Sequence, residues 1–183
     1  MAIQVTLLIL ILTNKNMAGD LQFNDQLADS KRYEDMVYRH LISSRGFEIP
    51  KKMVFRPTRD IYTSYDDTWR KHPDFRTPFQ FIEHKKSTLL RTDLPKRYTM
   101  FKSHIYNQYK QLPVLICVYG QQQRDSGVMW FINVDEIYSR LDQLIVAGRF
   151  GRDNKPYYRI PDYWFTNYGK IWNMKNKTWL SQE

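Results

Sequence analysis

The chain has 183 residues, a length that suits one domain with a real hydrophobic core and leaves little room for a second. It carries 28 Lys and Arg against 19 Asp and Glu, and the formal net charge of +9 favours a polyanionic partner, nucleic acid before an acidic membrane. The single cysteine, Cys117, excludes an intramolecular disulfide and a cysteine-based zinc cluster, and it fits a reducing compartment.

An apolar run at residues 3–12 lies near the start of the sequence. It is too short to span a bilayer, and it lacks the charged region and the cleavage site of a signal peptide. We therefore expect no membrane association. Residues 1–16 are interpreted either as a buried or edge strand or as an extension outside the core, with the natural protein then beginning at Met17.

The first predicted element is a helix over residues 24–45 that ends at Gly46. Glu34 is its informative residue, because on a helix of about 100° per residue it lies within about 20° of Leu41 and about 60° of Val37. Its carboxylate should therefore lean toward the sheet rather than toward water. The predicted inward stripe consists of Tyr33, Val37, Leu41 and Ser44.

Two segments follow this helix. Residues 47–55 are predicted to form a strand at an edge or with a kink, because Pro50 and two lysines interrupt the apolar run. Residues 56–71 are polar, and their aromatic and basic side chains alternate. This pattern suits a loop on a nucleic-acid backbone, although an ordinary amphipathic surface has the same pattern.

Residues 72–76 and 79–86 are predicted to form a hairpin around the turn at Thr77-Pro78. Because side chains alternate along a strand, Glu83 and Lys85 should point to one face. The hairpin thus places a carboxylate and an amine side by side.

The position of Asp74 depends on the length of the hairpin loop. A two-residue loop places Asp74 opposite Phe81, a four-residue loop places it opposite Glu83, and in either register Asp74 shares a face with Glu83 and Lys85. Two carboxylates this close repel unless a cation lies between them, and a few oxygen ligands suit Mg²⁺, with Mn²⁺ as a substitute. The alternative is a turn followed by a salt pair on a solvated strand.

Further elements are predicted in the second half of the chain from apolar periodicity and from turn residues. They are a helix at 96–111, a strand at 114–119 buried on both faces in the middle of a mixed sheet, a polar connection at 120–127, a strand at 128–134 and a helix at 135–147 that ends at Gly148.

The segment 149–183 is rich in both basic and aromatic residues. So many aromatic side chains would not remain in water, and part of the segment should pack on the domain or on a second subunit. A role in stacking on bases or entering a groove is equally open.

The pair Pro73-Asp74 followed by Glu83-His84-Lys85 resembles the signature of the PD-(D/E)xK nucleases. The resemblance covers about residues 30–120. It implies a restriction-endonuclease-like α/β core, in which helices flank a central mixed sheet of four to five strands in the order αβββαβ. The core would occupy residues 24–147 of a single nuclease domain at 17–183, with residues 148–183 as a C-terminal extension.

The resemblance also implies roles for individual residues. Asp74 and Glu83 would be metal ligands, the backbone carbonyl of His84 a further ligand, and Lys85 the residue that activates water. Members of this family often have a glutamate in the first helix that reaches the metal site, and Glu34 is the matching position.

The implied activity is Mg²⁺-dependent hydrolysis of DNA phosphodiester bonds by an endonuclease of restriction, homing or phage type. Such an enzyme would act as a homodimer or higher homo-oligomer in the cytoplasm of a bacterium or a phage-infected cell. Two alternatives remain open. The Glu34 helix with Arg45-Gly46-Phe47 also resembles the layout of Holliday-junction resolvases, and a non-catalytic nucleic-acid-binding module would use the acidic pair structurally.

Overall fold

A computed structural model describes residues 25, 28–43, 46–56, 73–86, 98–101, 112–150 and 155–180. These ranges contain helices and strands in an α/β arrangement. The helices are α1 (28–42), α2 (Gln121–Ser126), α3 (Val134–Tyr138) and α4 (Tyr163–Asn167), and 3-10 turns lie at Lys51–Met53 and Leu141–Gln143. The strands are β1 (Phe75–Arg76), β2 (Phe81–Lys85), β3 (Tyr98–Phe101), β4 (Val114–Val118), β5 (Val128–Asn133), β6 (Ile145–Phe150), β7 (Lys155–Pro161), β8 (Lys170–Asn173) and β9 (Thr178–Leu180).

The main sheet has six strands in the order β1-β2-β4-β5-β8-β9. Strands β2 and β4 are parallel, and every other neighbouring pair in this sheet is antiparallel. A second, antiparallel sheet has the order β3-β7-β6. The prediction of a central strand buried on both faces is confirmed, because Ile116, Cys117 and Val118 of β4 are all buried.

Each face of the main sheet carries its own apolar cluster. Helix α1 packs on the face that contains Ile82 of β2 and Cys117 of β4, whereas the second sheet, α3 and α4 pack on the face that contains Phe81 and Ile116. The predicted stripe of α1 is confirmed over its described positions, since Tyr33, Val37 and Leu41 are buried. Each such side chain contributes about 1.5–3 kcal/mol on burial, which is enough to hold a short helix on the sheet.

The strand predicted at 47–55 is absent from the structure. Glu48 has a φ of 56°, which interrupts extended backbone, and a 3-10 turn closes when the N–H of Met53 donates to the carbonyl of Pro50. Only an isolated antiparallel bridge remains, between Phe55 and Arg76. This bridge brings Arg56, the residue after Phe55, to the edge of the main sheet.

Two predictions in the second half are wrong. Residues 98–101 form β3 and not the start of a helix, and residues 102–111 lie outside the described ranges. The polar segment at 120–127 connects β4 to β5 as predicted, and it contains α2. The helix predicted at 135–147 ends at Tyr138, and Ile145 begins β6 with 61% of its surface exposed, because the segment pairs with β7 instead.

Part of the basic and aromatic segment at 149–183 packs on the rest of the chain, which is one of the two predicted outcomes. Trp164 and Phe165 of α4 are buried, and β8 extends the main sheet beside β5. Gly169 allows this approach, because a Cβ atom there would lie 2.2 Å from the carbonyl oxygen of Phe131. In the part of the chain that the structure describes, no helix is long and apolar enough to cross a membrane.

Candidate functional site

The hairpin register brings Asp74 opposite Glu83. Phe75 pairs with Ile82 and Arg76 pairs with Phe81 in antiparallel fashion, so the next residue outward on the first segment faces Glu83. This is the four-residue-loop register of the two predicted. The side chain of Thr77 closes the loop by accepting hydrogen bonds from the N–H groups of Phe79 and Gln80 at 3.3 and 3.2 Å.

The carboxylate of Asp74 is held by the backbone of β2. Its Oδ2 accepts a hydrogen bond from the N–H of His84 at 2.8 Å. The N–H of Phe81 and the carbonyl of Lys85 are bonded on the β4 side, so the N–H and carbonyl of His84 point to the β1 side. Asp74 lies just before β1 begins and therefore takes the place of a strand acceptor there, next to the His84 carbonyl that the family resemblance implies as a ligand.

Glu83 and Lys85 lie on the β2 face that also carries Phe81, as the alternation along the strand predicts. Their side chains are 14% and 28% exposed, respectively, and the Nζ of Lys85 forms an ion pair with Oε1 of Glu83. A carboxylate and an amine are thus adjacent and still reachable from solvent.

The pKa of Asp74 is raised well above its ordinary value. Burial of the carboxyl group is the largest cause, and the negative charges of Glu83 and Glu34 add to it, whereas Lys85 and the His84 N–H oppose it. The charges of Glu83 and Glu34 therefore both act on Asp74. Burial and the nearby carboxylates therefore both disfavour the ionised form of Asp74.

Glu34 is 9% exposed, so the prediction that it leans inward is confirmed. Its partner is Arg56, whose Nη2 lies 3.1 Å from Oε1 of Glu34 and 2.7 Å from Oδ1 of Asp35. The guanidinium also lies 4.6 Å from the ring centroid of Tyr38. No local pattern predicted the role of Arg56, because the two partners, Arg56 and Glu34, are 22 residues apart in the chain.

His84 contributes its backbone and not its imidazole to this site. The ring is buried, and its Nε2 lies 2.8 Å from the carbonyl oxygen of Tyr119. Burial lowers the pKa of His84 to about 4, so the ring is neutral at pH 7 and its Nε2–H donates to Tyr119. The imidazole therefore belongs to the core on the other side of the strand.

Two contacts between α1 and the rest of the chain were not predicted. The hydroxyl of Tyr33 donates to Oε1 of Gln121 at 2.8 Å, which ties α1 to α2. Lys86 forms an ion pair with Asp29, and its Nζ lies 5.7 Å from the ring centroid of Tyr33. These contacts hold the first half of α1 against the end of β2.

The donor set fits a hard divalent cation chemically, because it consists of carboxylate and carbonyl oxygens. Within the described residues, however, no group of three or more His, Cys, Asp or Glu side chains is arranged to hold a metal ion. Glu34 is directed to Arg56, Glu83 to Lys85 and Asp74 to the His84 N–H. The predicted residues gather around Asp74, but they do not form a closed cage.

Comparison of the chain with family models, curated proteins and solved structures gives no significant match. The predicted nucleic-acid loop at 56–71 lies outside the described ranges except for Arg56.

Proposed function

We propose that this chain is a divalent-metal-dependent endonuclease that hydrolyses DNA phosphodiester bonds on a restriction-endonuclease-like core. The observation that carries the proposal is the position of Asp74 opposite Glu83, with Lys85 on the same face as Glu83. The charges of Glu83 and Glu34 support it, since both act on Asp74 and a divalent cation bound there would offset their repulsion.

Each residue has a distinct part in the proposed mechanism. Asp74, Glu83 and the carbonyl of His84 would hold the ion, which when bound supplies charge neutralisation at the phosphate and a more acidic water. Lys85 orients the attacking water, and its ammonium offsets the negative charge that grows on the phosphoryl oxygens. The new bond joins the water oxygen to phosphorus, and the bond to the leaving sugar oxygen breaks.

The proposed substrate is DNA because the chain has a net charge of +9 and exposes basic and aromatic side chains together. Lys175, Lys177 and Trp179 are exposed near the end of the described chain. Such surfaces contact phosphates and stack on bases. Cutting two strands with one site each favours a homodimer, and the substrate implies the cytoplasm of a bacterium or a phage-infected cell.

A non-catalytic nucleic-acid-binding module is the second candidate. It is favoured by the observation that each carboxylate already has a hydrogen-bonding or cationic partner, without a three-ligand group among the described residues. In that case the ion pairs would serve the fold, as many buried or half-buried pairs do.

The two candidates differ in one experiment. The full chain is incubated with supercoiled circular DNA, linear duplex, a four-way junction and single-stranded DNA, with and without Mg²⁺, and as Asp74→Asn. We expect cleavage only with Mg²⁺ and only by the wild-type chain, while the variant still binds DNA. Preference for the junction would identify a resolvase, and binding without cleavage of any substrate would favour the module.

A further inference from the structure

Arg56 is more enclosed than Lys85, the cation that pairs with Glu83. Its side chain is 11% exposed, and its Nη2 bonds both Glu34, at 3.1 Å, and Asp35, at 2.7 Å. The guanidinium lies over the ring of Tyr38 at 4.6 Å and near that of Phe75 at 5.9 Å. The guanidinium of Arg56 therefore contacts two carboxylates and lies near two aromatic rings.

We propose that Arg56 is a positioning residue that withholds Glu34 from the metal-binding carboxylates. The resting site then offers Asp74 and Glu83 to a divalent cation, but not Glu34. The inference rests on the proposed function, because it concerns the ligands of the same ion.

Glu34 lies close to the site but is not arranged as part of it. The guanidinium that it contacts lies 5.9 Å from the ring centroid of Phe75, the residue next to Asp74. Nevertheless, within the described residues these carboxylates do not form a group of three that could hold a metal. The contact to Arg56 explains the difference, since Oε1 of Glu34 is directed to the guanidinium.

Arg56 is also held more firmly than the other cation of the site. The backbone next to it is fixed where Phe55 and Arg76 exchange two hydrogen bonds, of 2.8 and 2.7 Å. Stacking and a planar guanidinium limit its rotamers. Lys85, by contrast, is 28% exposed and carries its charge on a flexible chain, so it can turn away from Glu83 when a cation arrives.

The test is a double-mutant cycle on metal affinity, measured by calorimetric titration of the full chain with Mn²⁺ and without DNA. The variants are Glu34→Gln, Arg56→Gln and the two combined. We expect Arg56→Gln to tighten binding, and we expect Glu34→Gln to cost at least about fivefold more affinity in the Arg56→Gln background than in the wild type.

Equal effects of Glu34→Gln in both backgrounds would overturn the inference, because a pure charge effect is additive. Lys86→Gln is the matched control, since it removes the same charge from a residue that pairs with Asp29 instead of Glu34. The cost of Glu34→Gln should be unchanged in the Lys86→Gln background.

Arg56→Lys covers the case in which Arg56→Gln does not fold. It keeps the positive charge but loses the planar, stacked group, so Glu34→Gln should again cost more in this background than in the wild type. Loss of Mn²⁺ binding in Asp74→Asn, with additive behaviour elsewhere, would leave the proposed function standing and remove only the role of Arg56. No binding by any variant would remove both.

Discussion

The carboxylate of Asp74 accepts a hydrogen bond from the backbone N–H of His84 at 2.8 Å and so extends the pairing with β2 just before β1 begins. One side chain thereby serves the sheet and stands at the centre of the acidic cluster. The oxygen of Asp74 contributes to the strand pairing, whereas its charge contributes to the acidic cluster. Variants that remove one and keep the other are therefore informative.

Asp74→Asn should raise the free energy of unfolding at neutral pH, because the amide oxygen can still accept from His84 while the charge is gone. The pKa of Asp74 is raised in the fold, so ionisation destabilises the native state, and each unit is worth about 1.4 kcal/mol. The gain should be absent below the unfolded pKa of about 3.8 and should grow as pH rises from there through the raised native pKa. Urea unfolding at several pH values measures it; a variant less stable than wild type at pH 8 would contradict the assignment.

Mg²⁺ should stabilise the wild-type chain against heat more than it stabilises Asp74→Asn, since binding to the native state adds to its stability. EDTA should return the wild-type Tm to its metal-free value. The comparison needs no substrate and reports on the ion alone. Equal shifts in both proteins would show that any bound Mg²⁺ lies elsewhere.

Lys85→Met should reduce DNA cleavage by about 10²-fold or more, because the attacking water loses the group that orients it. DNA affinity should change little, since one charge of many is removed. Lys52→Met, on the exposed 3-10 turn, is the matched control and should leave cleavage unaltered. Equal losses in the two variants would assign the effect to general electrostatics.

His84→Gln should reduce the loss of unfolding free energy that the wild type shows as pH falls from 6.5 to 4. The native pKa of His84 is lowered to about 4 from an unfolded value of 6.5, so the wild type is stabilised above pH 6.5 and loses about 3 kcal/mol as pH falls to 4. The glutamine amide can still donate to Tyr119. Burial also lowers the pKa of His40, which is present in both proteins, so the difference between them isolates His84.

Gly169→Ala should destabilise the fold at least twice as much as Gly127→Ala. A Cβ at Gly169 would lie 2.2 Å from the carbonyl oxygen of Phe131, so β8 must move away from β5. Gly127 has open space around it, and its φ of 68° costs about 1–2 kcal/mol for alanine. Chemical denaturation ranks the two variants, and the reverse order would argue against the close approach of β8.

Local sequence patterns correctly predicted the features that depend on a single helix or strand. The stripe of α1, the two-sided burial of β4 and the shared face of Glu83 and Lys85 follow from helix and strand periods alone. The loop length of the hairpin had two solutions, and only the pairing of Phe75 with Ile82 decided between them. The prediction of a helix after Tyr138 was wrong, because the apolar spacing there suits a helix but the segment pairs with β7 as a strand.

The sequence by itself determined that the chain is basic, that its carboxylate pair lies on a hairpin, and that Glu34 turns inward, because charge and side-chain alternation are properties of short segments. Only the tertiary structure decided that the Asp74 carboxylate accepts a hydrogen bond from the His84 N–H and that Arg56 forms an ion pair with Glu34. Contacts between residues distant along the chain depend on how the elements pack, and no local pattern records that packing.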